Sequence, residues 1–389
     1  MKRPVGLACA GMFVCVFTGA DVETVPRFAA PGFVRTAMAT SAARQDVPGG
    51  RTFTSAHGVV YREERGTLPL PVIGGMKDKR YVWRYPASAA DWNGALVVGA
   101  HGGSGGIEYL ADGTKHGTAE TALDDVVGMY AADTGYAYAS TDRDGIAGTR
   151  EGLALTYAFT TQAQERLKAA LGKPPARTYI VGLSMGGGIA RYAEEDLAHV
   201  YDGAVIIAGA RGDVAAGLDR TADIAGLWPK VDPVRHPGLP DTDKNVQAYA
   251  RAVATPVGAR VFWPFVARGG TYDALRKSLV QYGLERLTDE DVWDFRFDYF
   301  RTTQPFADAV AKDNTTGRVL VPTIEVAGTY DDIVIREVMA HYRKVQAAIG
   351  TPKPSVLHRL YLVEGVWHIS GDDDAAESFQ FAMKQMGIP

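Results

Sequence analysis

The chain has 389 residues, of which 46% are hydrophobic and 22% charged, with a formal charge of −4 and a pI near 6.1. That balance fits a globular protein and excludes the basic stripe of a nucleic-acid binder. Past the N-terminus no segment reaches the roughly 18 consecutive apolar residues of a membrane span.

Lys2 and Arg3 precede an apolar run over residues 5–17, and Thr18-Gly19-Ala20 follows. This is the order of a secretory signal peptide, expected over residues 1–20, and it predicts a secreted or periplasmic protein. A membrane anchor would need a longer run. A lipid anchor at Cys9 would need a different lead than Gly6-Leu7-Ala8, and the apolar run continues past it. Both cysteines, Cys9 and Cys15, lie in this segment, so no disulfide or thiol chemistry is expected in the mature protein. Residues 21–50 are rich in Ala, Pro, Thr and Gly without periodicity, which predicts a flexible lead-in.

Residues 51–65 and 79–85 predict antiparallel strands, the second carrying the alternation Tyr81-Val82-Trp83-Arg84-Tyr85. Residues 94–100 are a continuous apolar run, as in a strand buried on both faces, and end in His101-Gly102-Gly103-Ser104. A helix is expected over 118–132, with Leu123, Val126, Val127 and Tyr130 on one side, then a strand over 136–140 and a long helix over 151–171 ended by Gly172 and Pro174.

Tyr179-Ile180-Val181 is a further short buried strand, and Ile189, Ala190, Tyr192 and Ala193 begin a helical pattern. Between them stands Gly182-Leu183-Ser184-Met185-Gly186, a G-x-S-x-G match in the strand–turn–helix context that lifts a serine hydroxyl above the sheet edge. The turn is strained, so its neighbours must lack bulk; Gly182 and Gly186 meet that demand, and Gly187 and Gly188 allow the helix to approach the sheet.

This stretch resembles the nucleophile elbow of the α/β-hydrolase family, and the resemblance extends from about residue 51 to the C-terminus apart from an insertion. It implies an eight-stranded, mostly parallel sheet with helices on both faces, formed by residues 51–209 and 318–389. Residues 210–317 break the β–α alternation and are rich in aromatics, which predicts an inserted helical cap. The alternation resumes with strands over 319–327 and 357–363 and helices over 332–349 and 374–386.

The resemblance also implies a serine hydrolase in which the chain order is Ser, acid, His. Ser184 is then the nucleophile. Asp331, three residues after Gly328, is the acid expected, with Asp332 and Asp213 as alternatives. His368, after the last strand, is the base, while His341 within a helix and His358 within a strand are read as structural. The oxyanion hole is expected from the amides of Met185 and Gly103. Residues 135–142 and Tyr201-Asp202-Gly203-Ala204 look similar to segments of feruloyl esterases and tannases, although Leu183 and Trp367 stand where those enzymes usually carry cysteines.

Carboxylic esters, small or polymeric and with aromatic or bulky groups as candidates, are the expected substrates. The same triad could instead serve an amidase or peptidase. Phe295 and Tyr299 in the cap are expected to reach a ligand, whereas Trp293, Phe297 and Phe300 share a face suited to the cap's core. His101 is read as a loop-packing residue. No His, Cys, Asp or Glu set has metal-ligand spacing in the sequence, so no metal is expected, and no cofactor.

Overall fold

The computed structural model describes residues 22–25, 50–72, 75–102, 107–109, 115–117, 122–143, 150–213, 216, 314–329, 331, 334–349, 358–363, 381–382 and 385. Among these residues the elements are β1 (Val22–Val25), β2 (Arg51–Thr54), β3 (Val60–Val72), β4 (Gly75–Pro86), β5 (Ala95–Ala100), β6 (Ile107–Tyr109), β7 (Lys115–Gly117), α1 (Ala122–Asp133), β8 (Ala137–Thr141), α2 (Arg150–Leu171), β9 (Arg177–Leu183), α3 (Met185–Asp196), β10 (Gly203–Ile207), β11 (Thr323–Gly328), α4 (Ile335–Ile349) and β12 (His358–Val363).

One sheet takes ten of these strands, in the order β1-β12-β11-β10-β9-β5-β8-β4-β3-β2. From β1 to β8 every neighbouring pair is parallel, and β8, β4, β3 and β2 follow as an antiparallel meander. The sequence predicts eight strands; the described sheet has ten. One addition arises because the segment expected as a single strand from residue 51 divides into β2 and β3 around a turn at Gly58, where φ is 81°. The other is β1, which lies in the expected flexible lead-in and pairs with β12 from Val22 opposite Leu360 to Val25 opposite Val363. The small hairpin β6–β7 is also not anticipated.

The strand interiors alternate between two cores. Val97, Val181, Val205 and Val326 meet Leu123, Val127 and Ala131 of α1 on one face. Leu96, Val98, Ile180 and Ile206 meet Leu155, Phe159 and Ala163 of α2 and Ile189 and Ala190 of α3 on the other. Each strand carries apolar residues at odd and even positions alike, which is why its sequence reads as a continuous run rather than an alternation. Burying each such Val, Leu or Ile contributes about 1.5–3 kcal/mol.

The order of the sheet fixes where a ligand can sit. From β5 the chain steps outward to β8, then crosses back to place β9 on β5's other side and builds away through β10, β11 and β12. The order therefore reverses between β5 and β9, and in open α/β sheets the crevice beyond the strand ends at such a reversal is the ligand site.

Most of the expected cap, residues 217–313, lies outside the described residues. Its two stems are described, and both are held against α3 and α4. Thr315 Oγ1 donates to Gly212 O at 2.6 Å. Glu195 Oε1 accepts from the amides of Thr316 at 2.6 Å and Gly317 at 2.8 Å. Lys344 pairs with Asp213 at 2.7 Å.

Candidate active site

Ser184 stands between the last residue of β9 and the first of α3, with φ 54° and ψ −119°. A non-glycine residue holds such a conformation only where its surroundings over-determine it. Three hydrogen bonds do so here. Ser184 N donates to Ile207 O at 2.9 Å, and Ser184 O accepts from Gly187 N and Ala210 N, each at 2.8 Å. The glycines act by closeness. A Cβ on Gly182 would run into the carbonyl of Gly186, one on Gly186 into the carbonyls of Ala100 and His101, and one on Gly187 into Gly209. The expectation that bulk is excluded around the serine thus has named obstacles, all main chain.

The loop after β5 lies directly against the serine. A Cβ on Gly102 would fall 3.2 Å from Ser184 Cβ and 3.8 Å from its Oγ. Gly103, the expected second oxyanion donor, lies outside the described residues. Met185 opens α3, so its N–H is one of the first amides of the helix, which have no acceptor within the helix.

His101 is buried, and its Nε2–H donates to Thr141 O at 3.1 Å, which binds the ring to the end of β8. That agrees with its reading as a packing residue. The side chain that organises this loop is Arg143, which the sequence reading assigned no role. Its guanidinium is fully buried and Nη2 donates to the carbonyl of His101. Burial pulls its pKa down to about 10, with the Asp124 charge opposing. Its neighbour Asp142 accepts from Arg80 N at 2.8 Å and lies 3.7 Å from Lys79, which ties this end of β8 to β4.

Asp331 follows β11 and is fully buried. Its Oδ1 accepts from Val334 N at 3.1 Å, and its carbonyl accepts from Ile335 N at 3.0 Å. Asp331 therefore caps the start of α4, while Asp332, the alternative acid beside it, lies outside the described residues. Asp213 has a different engagement: Oδ2 pairs with Lys344 at 2.7 Å and Oδ1 accepts from Ala216 N at 3.0 Å. It lies at one end of the expected insertion.

The strand ends line up along one edge. Ala100 is opposite Gly182, Ile207 opposite Leu183 and Val326, and Gly328 opposite Val363. Thr329 N donates to Val363 O at 2.9 Å, tying the loop that carries Asp331 to the end of β12. His368 follows in sequence, outside the described residues, as do Phe295 and Tyr299. With strands about 4.8 Å apart, the ends of β9 and β11 stand about 10 Å from one another.

Sequence comparison is silent: no family profile and no curated protein matches the chain. Structure comparison is not. The rice cell wall degrading esterase LipA from Xanthomonas oryzae superposes with a TM-score of 0.50 at 13% identity, covering 86% of this chain and 94% of its own. A hydrolase candidate from Legionella pneumophila gives a TM-score of 0.51 at 12% identity, covering 84% and 89%. Feruloyl esterase B from Aspergillus oryzae gives 0.46 at 14%, covering 83% and 78%. The chain has the α/β-hydrolase fold. Within that fold it is similar to esterases and hydrolases.

Proposed function

We propose that this protein is a serine hydrolase that cleaves carboxylic esters through an acyl-enzyme. The observation that carries the reading is Ser184 itself: an L residue held at positive φ, at the strand-order reversal, with the Gly102 backbone against its side chain.

In this reading Ser184 Oγ attacks the ester carbonyl while His368 takes its proton and Asp331 orients the imidazole. The tetrahedral oxyanion accepts from the amides of Met185 and Gly103, aimed where charge develops. The Met185 amide adds the positive end of the α3 dipole. Collapse of the intermediate expels the alcohol, which takes its proton from His368. Water then attacks the acyl-serine with His368 as base, the acid departs and Ser184 regains its hydrogen. The capping bond from Val334 to Asp331 fixes one carboxylate oxygen, as an orienting group requires. Among the three carboxylates considered, Asp213 fits least, because Lys344 already holds it.

An ester is preferred over an amide because its leaving group needs less protonation. The N-terminal segment supports export. Among the described residues no helix is long and apolar enough to cross a membrane.

The test is labelling of the full chain with a fluorophosphonate, alongside hydrolysis of matched ester and amide substrates. The expected result is labelling of wild type, none of Ser184→Ala, and faster turnover of the ester. An unlabelled wild type, or equal labelling of both proteins, would refute it. A faster amide would make the protein an amidase with the same site.

A further inference from the structure

A second group of titratable side chains lies away from the elbow, and the proposed chemistry does not use it. Glu194 is on α3, Glu325 on β11, His341 on α4, and His358 opens β12; all four side chains are fully buried. Glu194 is ten residues beyond Ser184 along one helix, or about 15 Å. His358 begins a strand whose other end faces the candidate active site. No ligand spacing marks these residues in the sequence, because they are far apart in the chain and meet only in the fold.

The hydrogen bonds around His341 set where its lone pair points. Thr315 Oγ1 lies 2.6 Å from Gly212 O and 2.7 Å from His341 Nδ1. A carbonyl only accepts, so the hydroxyl hydrogen goes to Gly212 and Nδ1 must donate to the hydroxyl. His341 Nε2 then presents a lone pair, and it faces Glu194 Oε1 at 3.1 Å. Two acceptors at that distance repel unless something positive lies between them.

His358 lies between two carboxylates without a hydrogen bond to either ring nitrogen. Its Nε2 is 3.0 Å from Glu325 Oε2, close although not aligned as a hydrogen bond, and Glu325 Oε1 is held by Arg191. A proton on Nε2 leaves the Nδ1 lone pair turned inward, 3.9 Å from Glu194 Oε1. Both His358 Nδ1 and Glu194 Oε2 are buried without a hydrogen-bond partner. One donor atom from each of Glu194, His341 and His358 falls within 4.8 Å of the others. A tetrahedral centre with bonds of 2.0–2.1 Å separates its ligands by about 3.4 Å, between the two histidine–carboxylate distances seen here.

We propose that Glu194, His341 and His358 form a site for a divalent cation of the zinc class, with Thr315 orienting the His341 ring and Glu325 beside that of His358. Two imidazoles and a carboxylate select zinc and its neighbours over calcium or magnesium, which take oxygen ligands. A histidine whose second nitrogen meets a carboxylate or hydroxyl is the usual outer arrangement of such sites. The site's role is mechanical. It joins α3, α4 and β12 beside the stems of the insertion, since Glu194 O accepts from Leu320 N at 3.1 Å and Glu195 holds Thr316 and Gly317.

The test uses the full chain, stripped with a chelator, loaded with Zn2+ and dialysed against metal-free buffer. Wild type is expected to retain about one ion per chain and to unfold several degrees higher than the stripped form. Glu194→Gln and His358→Asn should lose both the retained ion and the metal-dependent shift, whereas His57→Ala, an exposed position, should keep both. If a variant fails to fold, wild type loaded with Co2+ decides by itself. Visible absorption bands that Zn2+ displaces support the site, and no bands overturn it. A proton shared between Glu194 and His341 predicts an unfolding temperature indifferent to metal and chelator, which also overturns it. Ester turnover of the stripped chain is read separately, because serine chemistry needs no ion; failure of either proposal leaves the other standing.

Discussion

Ser184 holds a backbone conformation that costs an L residue about 1–3 kcal/mol, and nothing in the packing of the two cores requires it to be serine. The structure therefore sets stability against activity at one position. Ser184→Gly is expected to raise the unfolding temperature by about 2–4 °C while ester turnover falls by roughly a millionfold. Calorimetry and a chromogenic acetate ester measure the two sides, and a variant that loses stability along with activity would mean that the strain is not where φ places it. The acid can be separated in the same way. Asp331→Asn should lower kcat by about 10⁴, because asparagine favours the wrong imidazole tautomer. Asp213→Asn should instead act on thermal stability through Lys344 and leave kcat within tenfold. Reversal of that pattern in parallel assays would move the acid to the stem.

Among the elements, those buried on both faces are the ones most visible in the sequence. β5 is an unbroken apolar run, and its bounds lie within a residue of those expected. β3 and β4 run further than their patterns suggest, since they pair without a break from Tyr61 opposite Pro86 to Val72 opposite Gly75, and charged residues are buried between them. Glu63 on β3 accepts from Arg84 on β4 at 2.8 Å, with both side chains fully buried, and Arg51 and Arg65 reach the same carboxylate. Arg84 then donates to Asp124 O on α1. A hydropathy pattern scores each of these residues as surface, and only their pairing puts them inside. Burial alone would raise the Glu63 pKa, but the Arg51 hydrogen bond and the Arg84 and Arg65 charges outweigh it and hold it at about 2, below an ordinary 4.5. The carboxylate is more acidic folded than unfolded, so its contribution is present above pH 4.5 and is lost as pH falls toward 2. Glu63→Gln should cost about 3–5 kcal/mol near neutrality, because it strands buried Arg84. The gap in unfolding temperature between variant and wild type should narrow across that acid range. A gap that stays constant would show that the lost group is packing rather than charge.

On the scale of the whole molecule, strand order, more than any single motif, locates the candidate site. The G-x-S-x-G turn was legible as a local signal, and the reversal between β5 and β9 puts that turn, rather than another strand end, where open α/β sheets take their ligands. The polar contacts that join the helix layer were not legible. Arg191, Glu194, Glu325, His341 and His358 come from four elements spread from α3 to β12, and no spacing rule links them. The sequence did mark residues 210–317 as a departure from the alternation. It did not show that both ends of the departure would be tied to α3 and α4.

The bond from Thr315 to Gly212 means that the chain leaves the sheet domain and returns to it at one point. Where a segment is joined at neighbouring points, closing the ends adds little chain entropy. Replacing residues 217–313 with a linker of about six residues, long enough to span about 20 Å, should yield a protein that folds with the far-ultraviolet signature of the sheet. The same junction would accept a foreign segment of other length, so the scaffold is a socket whose contents can be exchanged. Soluble expression and circular dichroism of the shortened chain read the outcome. Aggregation of the shortened chain, with Gly212 and Thr315 both retained, would show that the excised segment contributes to the core of the sheet domain.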